Sequence, residues 1–334
     1  MKSDLSLPVS TKEFEGTREI AVEEVPICFV CGAENFSDYA YGYDYELLTC
    51  SNLWRFVVCN DCGFVWLNPR PAVSELSVIY PPSYYSYDIE ASVNPIALKG
   101  KAFLDRMKFK SILRCLDRKP ESYLDIGCGN GRYLKLMEEM CGIDRASLYG
   151  IELKQEPVEK LAREGYSVFH KRAEDVTEIE PESLDLIAMF HVIEHVADPS
   201  SLVGSLSRWL KPGGIAAIET PNIDSLDQSL FKETYWGGYH IPRHWTLFNQ
   251  STLTTLLTNQ GLKVVAIKYQ TGHAFWMFSF HHLIRYNSKC QIKWLAEWFN
   301  PFSGLPLLVS FTGFDILRKS LGFNTSTILI LAMK

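Results

Sequence analysis

Short apolar runs alternate with amphipathic stretches through the middle and the end of the chain. The apolar runs predict seven strands: SYLDIG (122–127), SLYGIEL (147–153), YSVFH (166–170), LDLIAMF (184–190), GIAAIET (214–220), LKVVAIKYQ (262–270) and STILILAMK (326–334). The stretches beside them have helical periodicity, at about 97–118, 131–141, 155–164, 199–210 and 249–261. Strands that alternate with helices of this length predict an α/β fold with a parallel sheet and right-handed crossovers.

The same pattern divides the chain into segments of different character. In chain order we predict a flexible leader (1–25), a cysteine-bearing short-stranded subdomain (26–72), a connector with a helical lead-in (73–118), the α/β core (119–270), an aromatic helical insertion (271–324) and the last core strand (325–334).

The insertion, 271–324, carries far more aromatic residues than the rest of the chain. It is predicted to be a helical cap that closes the core and lines a substrate pocket. The alternative is an amphipathic surface that rests on a membrane or holds a lipid-linked substrate. We prefer the cap because the polar faces of this segment carry few lysine or arginine residues.

Composition narrows the class of protein. The 334 residues carry a net charge of −6, which argues against a surface that neutralises nucleic-acid phosphates. The polar, acidic N-terminal stretch lacks the apolar core of a secretory signal, and no apolar run is long enough to span a membrane. We therefore expect a soluble cytoplasmic protein, in which paired cysteines bind metal more often than they form disulfides. The pattern gives no prediction of oligomeric state.

Two CxxC pairs, CFVC and CNDC, supply four thiols, and a glycine follows each pair. Two such knuckles are typical of a tetrahedral zinc site, and the glycine permits the tight turn that directs N–H groups toward sulfur. We predict one structural Zn²⁺ bound by Cys28, Cys31, Cys59 and Cys62. Cys50, which lies between the pairs, is an additional thiol that leaves the choice of ligands open.

The sequence YLDIGCGNGRYL (123–134) places three glycines where the first core strand leads into a helix. Glycine can adopt a positive φ and lets a ligand approach the backbone closely. The spacing is neither that of a dinucleotide-binding loop nor that of a P-loop. Glu152 ends the next strand about 20 residues later, where a carboxylate can accept hydrogen bonds from both hydroxyls of a ribose. The pair predicts a nucleoside-bearing ligand.

Residues 118–270 resemble the class I S-adenosylmethionine (SAM)-dependent methyltransferases of the small-molecule type. LDIGCGNG, GIELK, RAEDV, LDLIAMFHVIEHVADP and LKPGGIAAIETPN are similar to five motifs of that family, in the same order. The resemblance implies a Rossmann-like seven-stranded sheet and SAM as cofactor. It implies cofactor contacts at Asp125, Gly127, Cys128, Gly129, Gly131, Glu152, Leu153, Ala173, Glu174, Asp175, Phe190 and His191.

Two histidine-bearing segments are candidates for the chemistry of methyl transfer, which needs aligned partners and removal of one proton. His195 in HVIEHV is one candidate base, since a histidine with a near-neutral pKa suits this task. HxxEH is also a zinc-peptidase spacing, but its place after a strand argues against that role. In GGYHIPRHWTLF, His244 is the second candidate base, whereas Tyr239, His240 and Arg243 are predicted to bind substrate.

These features predict a methyltransferase that acts on a small-molecule acceptor. A zinc-ribbon-like segment before such a domain resembles a bacterial group that modifies sugars, glycans or specialised metabolites. We expect O-methylation of a sugar or related metabolite, lipid-linked forms included. The alternatives are C-methylation of a nucleotide-linked keto sugar and a non-catalytic binding protein in which the cysteine subdomain is the working part.

Overall fold

The computed structural model describes residues 8–14, 16–81, 95–302 and 304–334; of the predicted segments, part of the leader and residues 82–94 of the connector lie outside this range. The strands are β1 (Val22–Glu23), β2 (Phe36–Gly42), β3 (Trp54–Cys59), β4 (Val65–Leu67), β5 (Arg70–Pro71), β6 (Tyr123–Ile126), β7 (Leu148–Glu152), β8 (Ser167–His170), β9 (Leu184–Phe190), β10 (Leu210–Pro221), β11 (Thr246–Leu247), β12 (Lys263–Gln270) and β13 (Thr327–Met333). The α-helices are α1 (Leu76–Ile79), α2 (Pro95–Leu113), α3 (Arg132–Cys141), α4 (Gln155–Arg163), α5 (Pro199–Trp209), α6 (Leu226–Phe231), α7 (Gln250–Asn259), α8 (His273–Tyr286) and α9 (Leu305–Ser320).

The chain forms two compact units. The first contains residues 1–82, 221–250 and 269–328, and the second contains residues 83–220, 251–268 and 329–334. The segment 221–250, which we predicted to be part of the core, is thus grouped with the first unit. The other predicted segment limits stay predictions.

The predicted α/β sheet is confirmed. Seven strands form one sheet in the order β12-β13-β10-β9-β6-β7-β8. The pairs β10–β9, β9–β6, β6–β7 and β7–β8 are parallel. Strand β13 runs antiparallel to β10, because Gly213 bonds to Lys334 at one end and Asn222 bonds to Ser326 at the other. The carboxyl ends of β6, β7 and β9 therefore meet at one edge of the sheet.

The core of the second unit consists of apolar side chains from the sheet and from the helices that cover it. Leu134 and Met137 of α3, Leu161 of α4 and Leu186 of β9 are fully buried. Buried parallel strands read as continuous apolar runs, which explains why their positions could be predicted from the sequence.

The first unit contains the cysteine subdomain and the aromatic insertion. Its four-stranded antiparallel sheet has the order β11-β4-β3-β2, and β1 pairs with β5. Within the predicted leader, Thr11–Phe14 forms a 3-10 helix in which Phe14 is buried. The insertion is helical, as predicted, and comprises α8, a 3-10 helix at Lys293–Phe299 and α9.

Gly131, the residue before α3, offers a test of the packing. Its φ is +75°, and a Cβ there would lie 2.3 Å from Cδ2 of the buried Leu161. We expect Gly131→Ala to lower the free energy of unfolding by about 2–4 kcal/mol, because a left-handed alanine and an overpacked leucine both cost energy. Gly213→Ala is the matched control, since Gly213 has a φ of +78° but open space around it. Equal losses in urea unfolding of the two variants would contradict this account.

Candidate functional site

The turn between β6 and α3 brings the backbone close to its neighbours. Gly127 has a φ of +77°, and a Cβ at this position would lie 2.7 Å from Cγ2 of Val192. Gly131, the N-cap residue of α3, has no side chain that could cap the first turn, and the N–H groups of this turn point out of the helix end. Such an uncapped helix N-terminus favours an anionic group of a ligand.

Glu152, the last residue of β7, lies directly across from this turn. Its Oε2 accepts a hydrogen bond of 2.9 Å from the Gly129 N–H. Its Oε1 accepts from the N–H groups of Leu153 and Lys154 at 2.8 and 3.1 Å. The structure therefore brings together the glycine turn and the acidic residue that the sequence placed on neighbouring strands.

Asp125 lies inside β6 beneath the turn and is 2% exposed. Burial and the nearby charge of Glu152 raise the pKa of its carboxyl group well above the ordinary value. Its Oδ2 has no hydrogen-bond partner among the described residues. Cys128 is also buried, and its Sγ lies 2.7 Å from where a Cβ of Gly150 would be. The floor of the turn is therefore tightly packed and holds one unsatisfied acceptor.

Four further predicted contacts, Leu153 and Ala173–Asp175, lie after β7 and β8. Leu153 is 56% exposed, and its carbonyl oxygen lies 2.8 Å from Nε2 of His170. Ala173–Asp175 forms a 3-10 helix, in which the Glu174 carboxylate accepts from the Ala197 N–H and from Arg172. Glu174 thus holds the segment after β9 in place.

His191, just after β9, stands between two carboxylates. Nδ1 lies 3.2 Å from Glu194 Oε1 and Nε2 lies 3.4 Å from Glu219 Oε1. Loss of hydration opposes protonation, but the bonds to the two carboxylates outweigh it and raise the pKa of His191 to about 9. Its backbone adopts a φ of +55°, and its N–H donates to the Glu219 carbonyl oxygen. The site therefore holds an imidazolium at neutral pH.

Glu219, at the end of β10, also forms an ion pair with Lys108 of α2 at 2.7 Å. Burial opposes ionisation, but the charges of Lys108 and His191 lower the pKa of Glu219 to about 2. Lys108 in turn lies 4.6 Å from the ring centre of Phe190, a predicted cofactor contact. The result is a row of alternating charges, from Lys108 through Glu219 and His191 to Glu194.

The candidate base His195 follows in a 3-10 helix, Ile193–His195, and is half-buried. Its N–H bonds to the Val192 carbonyl oxygen. HVIEHV is thus a short turn that begins with a left-handed residue, and the α-helical spacing that a zinc peptidase needs is absent from these described residues.

The predicted substrate residues Tyr239 and His240 line a small pocket of the first unit, with Glu46, Tyr45 and His282. His240 Nδ1 lies 2.8 Å from the buried Glu46 carboxylate. His282 is 3% exposed, neither of its ring nitrogens has a partner among the described residues, and burial lowers its pKa to about 3. A neutral imidazole that lacks partners suits a group that both donates and accepts, such as a hydroxyl.

Arg243 was predicted to bind substrate, but its guanidinium is bonded to groups of the protein itself. It is fully buried and forms two hydrogen bonds to Asp44, at 3.0 and 2.9 Å. It also donates to the carbonyl oxygens of Ile79 and Ile241. The candidate base His244 is 5% exposed, and its Nδ1 lies 2.8 Å from the Gly238 carbonyl oxygen. Nδ1 must therefore donate, which leaves the proton-accepting lone pair on Nε2 when the ring is neutral.

The four predicted metal ligands lie together. The Sγ atoms of Cys28 and Cys62 are 3.5 Å apart, as are those of Cys31 and Cys59, and all four lie within 4.8 Å of one another. Gly32 and Gly63 follow the knuckles in left-handed conformations, and their N–H groups bond back to Cys28 and Cys59. The buried Cys50 does not belong to this group. The S–S separations suit zinc, because Zn–S bonds of about 2.3 Å in a tetrahedron place sulfurs about 3.8 Å apart.

Sequence reasoning missed several polar residues of these sites: Asp44, Glu46, Lys108, Glu219 and His282. Glu219 had a visible signal, because it directly follows the apolar run of β10 at the edge where ligands bind. The others are distant in the chain from the groups they contact and had no such signal.

Comparison with known proteins gives matches to methyltransferases. A family model described as "Methyltransferase domain" matches residues 101–267, half of the chain. "Ubiquinone biosynthesis O-methyltransferase" of Pseudomonas syringae pv. tomato is 35% identical over 105 residues, 30% of this chain and 44% of that protein. The protein of the same name in Thiobacillus denitrificans is 37% identical over 106 residues, with the same shares. The match thus spans less than half the length of these curated relatives.

A solved structure is similar over more of the chain. Phosphoethanolamine N-methyltransferase 2 of Haemonchus contortus, in complex with S-adenosyl-L-methionine, has a TM-score of 0.50 and 17% identity, covering 90% of this chain and 68% of its own. At this identity the likeness concerns the fold alone, and it agrees with the seven-stranded sheet. Since the family model covers half of its length, the chain belongs to the methyltransferase domain family.

Proposed function

We propose that the protein is a SAM-dependent methyltransferase that methylates a hydroxyl group of a small acceptor, a sugar, glycan or related metabolite, lipid-linked forms included. The observation that carries this proposal is the position of the Glu152 carboxylate beside the glycine turn. A carboxylate there can accept hydrogen bonds from the ribose hydroxyls of the cofactor, and the turn lets the cofactor approach the backbone closely. The family match and the names of the O-methyltransferase relatives support the reaction class.

The residues of the turn fit the cofactor that this proposal requires. Glu152 would accept from the ribose hydroxyls, and Leu153 with the segment Ala173–Asp175 would flank the adenine. The backbone of Gly127–Gly131 and the N-terminus of α3 would hold the carboxylate of the amino-acid part, and the unpaired Asp125 Oδ2 offers an acceptor for its ammonium group. Phe190 and His191 would lie near the methionine part. The cofactor supplies an activated methyl group on a sulfonium.

The chain's own chemical task is then to orient the acceptor hydroxyl and take up its proton. The acceptor oxygen would receive the methyl group that the cofactor supplies, and a base of this chain would take up the hydroxyl proton. His195 and His244 remain the proposed bases. His244 has the suitable tautomer, since its Nδ1 is held by a carbonyl oxygen.

For one hydroxyl of the acceptor we propose the pocket that Tyr239 and His240 line, whose free volume of about 10 Å³ accommodates a single small group. Glu46 orients His240, and the neutral His282 can both donate to and accept from a hydroxyl. Because its guanidinium is occupied by Asp44 and two carbonyl oxygens, Arg243 serves to position this segment.

We further propose that Cys28, Cys31, Cys59 and Cys62 bind one structural Zn²⁺. Four thiolates in two knuckles at these separations form a closed site of the structural kind. The ion would tie the turn that carries Cys28 and Cys31 to the end of β3 and the turn after it, which carry Cys59 and Cys62.

The reaction can be tested with SAM carrying a ¹³C-labelled methyl group and a pool of sugars and phenols. We expect a product whose ¹³C chemical shift is that of a methyl group on oxygen. Replacing the true base, His195→Ala or His244→Ala, should lower kcat about 10²–10⁴-fold. His281→Ala, on α8, is the control. A methyl group on carbon, or no transfer by protein that binds the cofactor product, would contradict the O-methyltransferase proposal.

Metal analysis tests the cysteine site. Protein purified without chelator should contain one zinc per chain, and Cys31→Ser should contain much less because three thiolates bind more weakly. Cys290→Ser, which removes a cysteine outside the group, should keep its zinc. Equal zinc in both variants, or none in the unmodified protein, would rule the site out.

The charge on His191 predicts a specific pH dependence of stability. Its folded pKa of about 9 exceeds the ordinary value of 6.5, so its stabilising contribution is complete below about pH 6.5 and is lost as the pH rises through about 9. The difference in unfolding free energy between the unmodified protein and His191→Gln should therefore shrink from about pH 6 to about pH 10. Glu219 stays ionised throughout, since its pKa is about 2. A difference that is constant or grows over this range would refute the assignment.

A further inference from the structure

The helical insertion of the first unit has a well-packed inner side. The ring of Phe280 on α8 lies 5.1 Å from that of Phe299 and 5.8 Å from that of Phe311, so α8 contacts both neighbouring helices. Trp276 stacks on Phe311 at 5.7 Å. The insertion therefore has an aromatic core of its own.

Its outer side carries an unusual concentration of exposed apolar residues. Of the 21 large hydrophobic side chains that are exposed among the described residues, ten fall between residues 292 and 323. They are Ile292, Trp294, Trp298, Phe302, Val309, Phe314, Ile316, Leu317, Leu321 and Phe323. We call these ten residues the apolar surface. Scattered exposed leucines need no explanation, but such a concentration indicates an interaction site.

On α9 the solvent-exposed side is itself apolar. Val309 and Leu317 on α9, and Leu321 directly after its end, are 62%, 57% and 65% exposed, and they recur at spacings of eight and four residues. The acidic residue of this helix, Asp315, is buried and accepts from the Gly272 N–H and from Trp276. Arg318 and Lys319 lie in its last turn. Lys319 in the last turn is therefore the one exposed charged residue among the described residues of α9.

The charge around this surface is opposite to that of the protein as a whole. Residues 271–324 contain five basic and two acidic residues, a net charge of +3, whereas the chain carries −6. Lys289, Lys293 and Lys319 are exposed, and Glu297 is the exposed acid. In a dimer formed through this surface, two segments that each carry +3 would face and repel each other. An anionic surface, by contrast, would attract the segment.

Trp294 and Trp298 favour a lipid surface over a protein partner. They are 69% and 63% exposed, in the 3-10 helix Lys293–Phe299. Tryptophan prefers the boundary between lipid headgroups and acyl chains, and lysines beside it contact anionic headgroups. Among the described residues no helix is both long and apolar enough to cross a bilayer, so any membrane contact by these helices is peripheral.

We propose that the apolar surface binds peripherally to anionic lipid membranes. Trp294, Trp298 and the exposed face of α9 enter the interfacial region, while the three lysines pair with headgroups. This inference goes beyond the proposed reaction and does not depend on it.

The test is co-sedimentation of the full chain with vesicles of equal parts phosphatidylcholine and phosphatidylglycerol. We expect binding to be at least ~10-fold weaker on vesicles of phosphatidylcholine alone. Binding to the anionic vesicles should also weaken in about 1 M salt, where the Debye length is about 3 Å. The double variants Trp294→Ser/Trp298→Ser and Leu317→Ser/Leu321→Ser should each bind at least ~10-fold more weakly. Phe103→Ser/Leu104→Ser removes two comparably exposed apolar side chains of α2 and should bind normally.

The thermal unfolding midpoints of the variants serve as the folding control, since all six substituted side chains are more than half exposed. Lack of binding to the anionic vesicles by the unmodified protein would overturn the proposal. So would an equal loss of binding in the α2 control. Sedimentation without lipid gives a third contrary outcome, a dimer that both surface variants abolish, which would assign the surface to a second copy of the chain.

Discussion

The lack of space around the turn after β6 is the constraint on which the cofactor side of the structure depends. A side chain at Gly127 would meet Val192, and one at Gly131 would meet the buried Leu161. The backbone of the turn can therefore lie against the segment after β9 and against α4. This close approach places the Gly129 N–H within 2.9 Å of the Glu152 carboxylate. A tight turn, an uncapped helix end and an acidic residue are thus properties of one local arrangement.

The buried charged groups at this edge of the sheet each have compensating partners. Glu219 and Glu194 are both buried, and a buried carboxylate is tolerated only with compensating partners. Lys108 and His191 supply two of these partners, and Thr220 donates a hydrogen bond to Glu194. In the first unit, Arg243 and Asp44 form a similar buried pair. Polar groups are therefore held in fixed positions before any ligand binds, as a methyltransferase that relies on alignment requires.

The positions of the sheet strands could be predicted from the sequence because buried parallel strands are continuous apolar runs. For β9 the predicted and observed limits agree, 184–190, and for β6 and β7 they differ by one residue at each end. The spacing of the cysteines likewise predicted their cluster, because each knuckle is a local structure. The predicted end of helix α2 was less accurate: the helix ends at residue 113, and the prediction was 118. No glycine or proline marks its last turn.

Long-range polar pairs were beyond sequence reasoning. Lys108 and Glu219 are 111 residues apart, and Asp44 and Arg243 are 199 apart. Neither local propensity nor periodicity carries information on such a pairing. Arg243 illustrates the consequence, because it was predicted to bind substrate whereas the fold pairs it with the buried Asp44 carboxylate. The sequence also left open whether Cys50 is a ligand, and the structure shows that it lies outside the cluster of four thiols.

The central claim is that the glycine turn and Glu152 bind a nucleoside-bearing methyl donor. Calorimetric titration of the protein with S-adenosylhomocysteine, the cofactor product, tests it most directly. The account predicts one site with a Kd in the micromolar range or below, weakened at least ~10-fold in Glu152→Gln and unchanged in Glu156→Gln, on the exposed side of α4. Absence of binding by folded, zinc-loaded protein, or equal affinity in the two variants, would contradict it.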